Sequence, residues 1–267
     1  MEDDKYYVQC NRKAWNLAME YHRKAKNADW DSLFDNPYGV FQKEPELSAL
    51  HRIGLMGKDI VHLCCNNGVE LLSLKRMGAG RCVGFDICDE AIADGKRRAE
   101  KYCIPVEFYQ SNVYEISTLY DNSFDLVYIT IGALTWLPDL PGFFAVASRL
   151  LRSGGKVFIY EQHPFASVLP WDISLYDQKP MISESYFQDH ALRYEESLDY
   201  YGGVEYNGPV TYEFAHTLSE IIGALLTNQL SISGFWEYDH DISNGLAWVK
   251  KTGLRLPLSY ILISVKQ

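Results

Sequence analysis

Five short stretches hold residues whose types and spacing could do chemistry. The first, Val61-His-Leu-Cys-Cys-Asn-Asn-Gly68, reads as a buried strand running into a helix. The unpaired N–H groups at such a helix start can hydrogen-bond a ligand at the strand tip. A dinucleotide pyrophosphate needs close backbone approach, usually through three glycines. Here only Gly68 remains, with Cys64 and Asn66 at the other two positions. The loop therefore suits a carboxylate or a ribose better than a diphosphate. Asp86 closes the next strand, 18 residues after Gly68, where a carboxylate can accept hydrogen bonds from both ribose hydroxyls. Asp89 is the expected cap of the helix that follows. Ser111-Asn112-Val113-Tyr114 places an amide where it could read an adenine amine, with Val113 flanking the ring. Thr130-Ile-Gly-Ala-Leu-Thr-Trp136 offers close approach at Gly132 and an aromatic wall at Trp136. In Glu161-Gln-His-Pro164, His163 is the candidate base and Glu161 the group that orients it or holds a substrate.

These stretches need a scaffold that brings strand tips to one side. From Asp59 onward, short apolar runs alternate with helical spacing: strands over Ile60–Cys65, Arg81–Asp86, Val106–Tyr109, Phe124–Ile131 and Lys156–Glu161, and helices over Val69–Met77, Asp89–Tyr102 and Phe143–Leu151. Strands separated in this way imply βαβ units and a parallel sheet, because parallel neighbours need a crossover. Ligands on such sheets bind beyond the C-terminal strand ends, where strand order reverses. Ahead of the alternation, residues 1–57 read as a helical preamble, broken at Asp35-Asn-Pro-Tyr-Gly39 and resumed over Glu46–Ile53. Residues 163–212 are too long for an ordinary connection and read as a cover. Within them, Leu192–Tyr201 and Val204–Tyr206 suggest a hairpin. His216–Asn228 returns to helix, capped by Thr217 or Thr211, and Leu230–Tyr238 and Leu258–Val265 read as the last strands.

Composition narrows the classes. The 267 residues carry 25 Lys+Arg against 35 Asp+Glu, a net charge of −10, which argues against a partner held by phosphate neutralisation. No run is long and apolar enough to span a bilayer, and the acidic Met1–Lys5 start does not resemble a secretory signal. Six cysteines without a CxxC pair suggest reduced thiols and a cytoplasmic setting. His62 and Cys64 share a strand face that could seed a metal site. With no second ligand pair nearby, they read instead as buried strand residues, and no metal is expected.

In order and spacing, Val61–Gly68, Val83–Asp86, Ser111–Val113, Phe124-Asp-Leu-Val-Tyr128 and Leu151-Arg-Ser-Gly-Gly-Lys156 together resemble the class I S-adenosylmethionine-dependent methyltransferases over about Asp59 to Pro164. The resemblance implies an α/β fold: a doubly wound, mostly parallel seven-stranded Rossmann-like sheet whose last strand is antiparallel, here with an inserted β-rich cover. It also implies S-adenosylmethionine as cofactor. His62 stands where the family has an acidic residue, Cys64 and Asn66 replace two usual glycines, and Asn112 sits where Asp is common. Carried over by position, His62, Cys64, Asn66, Gly68, Asp86, Ile87, Asn112, Val113 and Ile131 would hold the cofactor, the loop at its methionine end, Asp86 at the ribose, and Asn112 with Val113 at the adenine.

The expected organisation is a helical cap over 1–57, a cofactor-binding core over 58–162, a substrate cover over 163–212, and a helix and strands over 213–267 completing the sheet. Trp136, His190, Tyr201, His216 and Trp236 are the candidate substrate contacts. Between Glu184 and Glu213 stand seven acidic residues, one Arg and six Tyr. That balance suits a flat neutral or cationic molecule and not nucleic acid or a phosphorylated ligand. The expected reaction is in-line methyl transfer to a small molecule by a monomer or homodimer without membrane attachment. Two other readings stay open: an NAD-dependent oxidoreductase, and a non-catalytic cofactor-binding module whose insertion meets a partner.

Overall fold

Ile60, Val61, His62 and Leu63 are fully buried and form β1 (Ile60–Leu63), an inner strand of a seven-stranded sheet. The computed structural model describes residues 2–171, 182–199, 203–243 and 245–267. The other core strands are β2 (Cys82–Asp86), β3 (Glu107–Gln110), β4 (Phe124–Thr130), β5 (Leu151–Gln162), β8 (Leu230–Tyr238) and β9 (Ser259–Lys266). They lie in the order β3-β2-β1-β4-β5-β9-β8. The first five are mutually parallel, and β9 runs antiparallel to both β5 and β8. Strand order reverses between β1 and β4, the position where a ligand crevice is expected.

Both faces of the sheet are covered, which is why its strands read as near-continuous apolar runs. One face packs Val127, Phe143, Phe144, Leu150 and Leu225 against α5 (Leu140–Leu150) and α6 (Leu218–Thr227). The other packs Leu50, Leu71, Leu72, Leu74 and Phe158 against α2 (Glu46–Ile53) and α3 (Val69–Arg76). Thr217 caps α6 in a reciprocal capping box with Glu220, so Thr217 fills the role for which Thr211 was the other candidate.

The preamble opens with one long helix, α1 (Glu2–Asp35), which lines the cavity at the strand tips, and resumes in α2. It is fastened to α4 (Asp89–Lys101): Arg12 forks onto Asp89, Arg23 onto Asp94 and Glu90, and Asn16 meets both the Asp89 side chain and the Glu90 N–H. The α4 cap is Cys88, whose Sγ accepts from Ala91 N at 3.4 Å, and not Asp89, which is engaged with α1.

The cover departs from the expected hairpin. β6 (Leu192–Tyr194) pairs antiparallel with β7 (Thr211–Glu213), not with 204–206. The intervening chain closes on itself: Gly203 N donates to Asp199 O, Val204 N to the Asp199 carboxylate, and Leu198 N to the Tyr206 hydroxyl. These local bonds occupy the groups a strand ladder would need. A further short helix, α7 (Ala247–Thr252), packs Trp248 and Val249 beneath the segment after β5.

Candidate active site

The loop after β1 is built on left-handed backbone. Cys64, Asn66 and Gly68 have φ of 57°, 46° and 72°, the three positions where glycine would be least strained. Gly68 is needed for space as well, because a Cβ there would stand 2.3 Å from the Phe108 ring. It is the N-cap of α3 and lies behind the cavity wall, whereas Cys64 and Asn66 line the cavity. Burial pushes the Cys64 and Cys65 thiols up, so neither is a thiolate.

Asp86 ties this loop to the tip of β2. One carboxylate oxygen accepts from Asn66 N at 2.7 Å and the other from Cys88 N at 2.8 Å. Burial raises its pKa, against the pull of those N–H groups. Each oxygen has a second lone pair, and the half-buried side chain faces the cavity beside Ile87, so capacity remains for two ligand hydroxyls. At the tip of β3, Asn112 accepts from Tyr114 N at 3.2 Å and caps the short turn carrying Val113. Both residues line the same cavity, as does Ile131 after β4.

Glu161 and His163 are positioned differently from the acid–base pair expected of them. Glu161 is buried and accepts three backbone N–H groups of the loop after β4: Gly132 at 2.5 Å, Ala133 at 2.7 Å and Leu134 at 3.2 Å. It holds that loop and does not touch His163 in any bond the structure contains among the described residues. His163 Nδ1 accepts from Phe165 N at 3.0 Å, and Nε2 lies 3.0 Å from the Glu237 carboxylate. In the neutral ring the Nδ1 lone pair is therefore taken, so His163 has none free to abstract a proton.

His216 has the complementary arrangement. Its Nε2 donates to Leu137 O at 2.8 Å, which fixes the tautomer and leaves Nδ1 as the lone pair. Burial lowers its pKa, so the ring is neutral near pH 7. It stacks on Phe214 in the cavity wall, which also includes a corner where Trp136 meets Trp15 of α1 at 5.3 Å. Asn11 of α1 pairs with both backbone groups of Tyr212 in β7 at 2.8 Å, joining helix and cover above the site.

Three of the other expected residues lie elsewhere. His62 is sealed within the sheet, its pKa driven down to about 3 by burial, and does not reach the cavity. His190 is on the surface beside Asp189. Trp236 sits on the edge strand β8 under the Arg52 guanidinium, 5.1 Å from its ring centre, and not at the rim. Tyr201 lies outside the described residues.

The cavity that gathers the remainder measures about 1230 Å³, more than the usual few hundred to 1,000 Å³ for one ligand. Among the described residues its lining has eight carboxylates (Glu44, Glu46, Glu70, Asp86, Glu161, Glu184, Glu213 and Asp241) and one lysine, Lys43. Burial raises Glu46 to about 8 and Glu70 and Glu213 to about 7. Sequence reading missed Glu46 and Glu70 as site residues, since an acid in the first turn of a helix already has a reason to be there.

Residues 61–159 match the methyltransferase domain family. The chain is similar to the ubiquinone biosynthesis O-methyltransferase of Klebsiella pneumoniae, 29% identical over 128 residues, covering 43% of this chain and 52% of that protein. It spans about half the length of the curated relatives it matches. In structure it is similar to an S-adenosylmethionine-dependent methyltransferase from Mesorhizobium loti, with TM-score 0.60, 18% identity, and coverage of 83% of this chain and 97% of that one. It is also similar to geranyl diphosphate C-methyltransferase from Streptomyces coelicolor, with TM-score 0.58, 14% identity, and coverage of 83% and 75%. The matched domain coincides with the parallel half of the sheet and with the tips of β1, β2, β3 and β4 that line the cavity, so residues 61–159 carry a methyltransferase domain on a fold shared with S-adenosylmethionine-dependent methyltransferases.

Proposed function

We propose that this protein transfers a methyl group to a small neutral or cationic molecule with a flat, aromatic body, by in-line displacement. The observation that carries the acceptor class is the cavity lining of eight carboxylates and one lysine among the described residues. An anionic acceptor such as a diphosphate would be repelled by the lining carboxylates that stay ionised near pH 7, Glu46 being held protonated and Glu70 and Glu213 partly so, whereas Trp15, Trp136 and Phe214 offer faces for stacking and cation–π contact.

When bound, S-adenosylmethionine supplies an electrophilic methyl carbon on a sulfonium leaving group. The left-handed turn at Cys64, Asn66 and Gly68, and an Asp86 carboxylate with spare lone pairs, fit such a molecule. On this reading Asp86 holds the ribose, Asn112 and Val113 the adenine, and the Cys64–Asn66 turn with Ile87 and Ile131 the remainder. Glu161 positions the loop bearing Ile131 and Trp136. His216 Nδ1 receives a proton from an O–H or N–H acceptor, and the cover with α1 excludes water.

Calorimetry with S-adenosylhomocysteine, followed by transfer of radiolabelled methyl to a panel of phenols, aromatic amines and aromatic carboxylates, tests this reading. Labelling of phenols or amines is expected. Labelling confined to anionic acceptors would overturn the acceptor class, and tight NAD binding with none for S-adenosylhomocysteine would replace the reaction with hydride transfer.

A further inference from the structure

Several of the carboxylates that line the cavity are committed inside the protein: Asp86 to the Asn66 and Cys88 N–H groups, Glu161 to three N–H groups of the β4 loop, and Asp241 to the N–H groups of Ser243 and Leu246. Glu213 is placed differently. It ends β7, is half-buried, lines the cavity, and lies beside the Thr135 hydroxyl. Among the described residues it has no ion pair with a Lys, Arg or His, and the charge that acts on it is that of another carboxylate, Glu196. A carboxylate withdrawn from water is ordinarily matched by an opposite charge. The backbone that carries Glu213 is braced on both sides: Phe214 N donates to Thr135 O at 2.8 Å, and Asn11 of α1 holds both backbone groups of Tyr212. Thr135 belongs to the turn Leu134–Trp136, so this contact brings Glu213 to the turn that carries Trp136. Phe214 is the next residue, and its ring stacks on His216.

We infer that Glu213 is a specificity-determining contact for the acceptor, pairing with a nitrogen cation that the acceptor carries while its flat body lies against Phe214 and Trp136 and its reacting O–H or N–H faces His216. This narrows the acceptor class proposed above, on which it rests, from neutral or cationic to cationic. Burial and Glu196 raise the pKa of Glu213 to about 7, toward the neutral form. An arriving cation favours the ionised form instead, and a charge-assisted hydrogen bond is stronger than a neutral one. A role confined to fastening β7 to the β4 loop beside Thr135 would alter stability without distinguishing between acceptors.

The test measures methyl transfer by the full chain to matched phenols that differ in an ammonium group: tyramine with para-propylphenol, and meta-hydroxybenzylamine with meta-ethylphenol. In the native protein, kcat/KM for the better cationic member is expected to exceed that of its neutral match by about tenfold or more, mainly through KM. Glu213→Gln should bring the pair within about twofold, and Glu213→Asp, which keeps the charge, should retain a preference. Calorimetry with S-adenosylhomocysteine reports that each variant is folded, with affinity within about twofold of native. Native protein that uses the neutral members as well as the cationic ones, or a preference that survives in Glu213→Gln, would overturn the inference. Binding of S-adenosylhomocysteine with no labelling of any of these phenols would instead overturn the acceptor class beneath it.

Discussion

The backbone N–H of Asn66 donates to the Asp86 carboxylate at 2.7 Å, so the side chain proposed to hold the ribose also holds the loop proposed to meet the methionine end. Asp86→Ala would remove the ribose acceptor and leave the Asn66 and Cys88 N–H groups without their partner, at about 1–3 kcal/mol for each buried group. The expected result is S-adenosylhomocysteine affinity reduced at least about tenfold, or ~1.4 kcal/mol, together with a lower Tm. Calorimetry and thermal melts separate the two roles: a lower Tm with native affinity would refute the ribose assignment and leave the loop tie standing.

Gly68 tests whether the turn tolerates any further side chain. Gly68→Ala would combine φ of 72° with a methyl 2.3 Å from Phe108. Left-handed strain of about 1–2 kcal/mol adds to overpacking of about 1–3 kcal/mol, and urea unfolding should read a loss in the combined range. Cys64 is already left-handed with a Cβ. Cys64→Val, β-branched in that region, should lose more stability than Cys64→Gly; the reverse order would show that the turn is not strain-limited.

Glu46 supplies a pH signature. It is buried against the Tyr128 hydroxyl and near Glu70, and its pKa rises from 4.5 to about 8 because burial disfavours the charge. The folded state then holds a proton that the unfolded state releases, so stability falls as pH rises from about 4.5 to about 8. Glu46→Gln, neutral throughout, should flatten that part of the curve in denaturant titrations. An unchanged slope would mean that another group governs it.

Legibility in the sequence follows the range of the forces involved. β1, β2 and β4 are readable because strands buried on both faces must be largely apolar, and α2 matches its expected bounds at Glu46–Ile53, whereas β5 starts at Leu151, five residues before the expected Lys156, because its polar opening carries no apolar signal. The pairing of β6 with β7 was not readable, since it depends on Asp199 and Tyr206 closing the loop between them. Asp86 could be placed at the cavity because a strand tip announces itself, but the hydrogen bonds it accepts from Asn66 N and Cys88 N could not. Glu161 and His163 look like an acid–base pair in sequence; only the fold reveals that one is committed to three N–H groups of the β4 loop and the other to Phe165.

His216 is the base proposed for an O–H or N–H acceptor. With Nε2–H held by Leu137 O and the ring neutral, Nδ1 carries the only lone pair. His216→Phe keeps a flat ring beside Phe214 and deletes both nitrogens. With a phenol or amine acceptor, kcat should fall by about 10²–10⁴, while S-adenosylhomocysteine affinity stays within about twofold, far less than the ~1.4 kcal/mol that marks a tenfold change. The native rate should also fall as pH drops through a value under 6.5, because burial lowers the pKa of this imidazole and protonation occupies Nδ1. Full turnover in the Phe variant, or a native profile flat below pH 6.5, would show that the acceptor arrives already deprotonated and that His216 only shapes the wall.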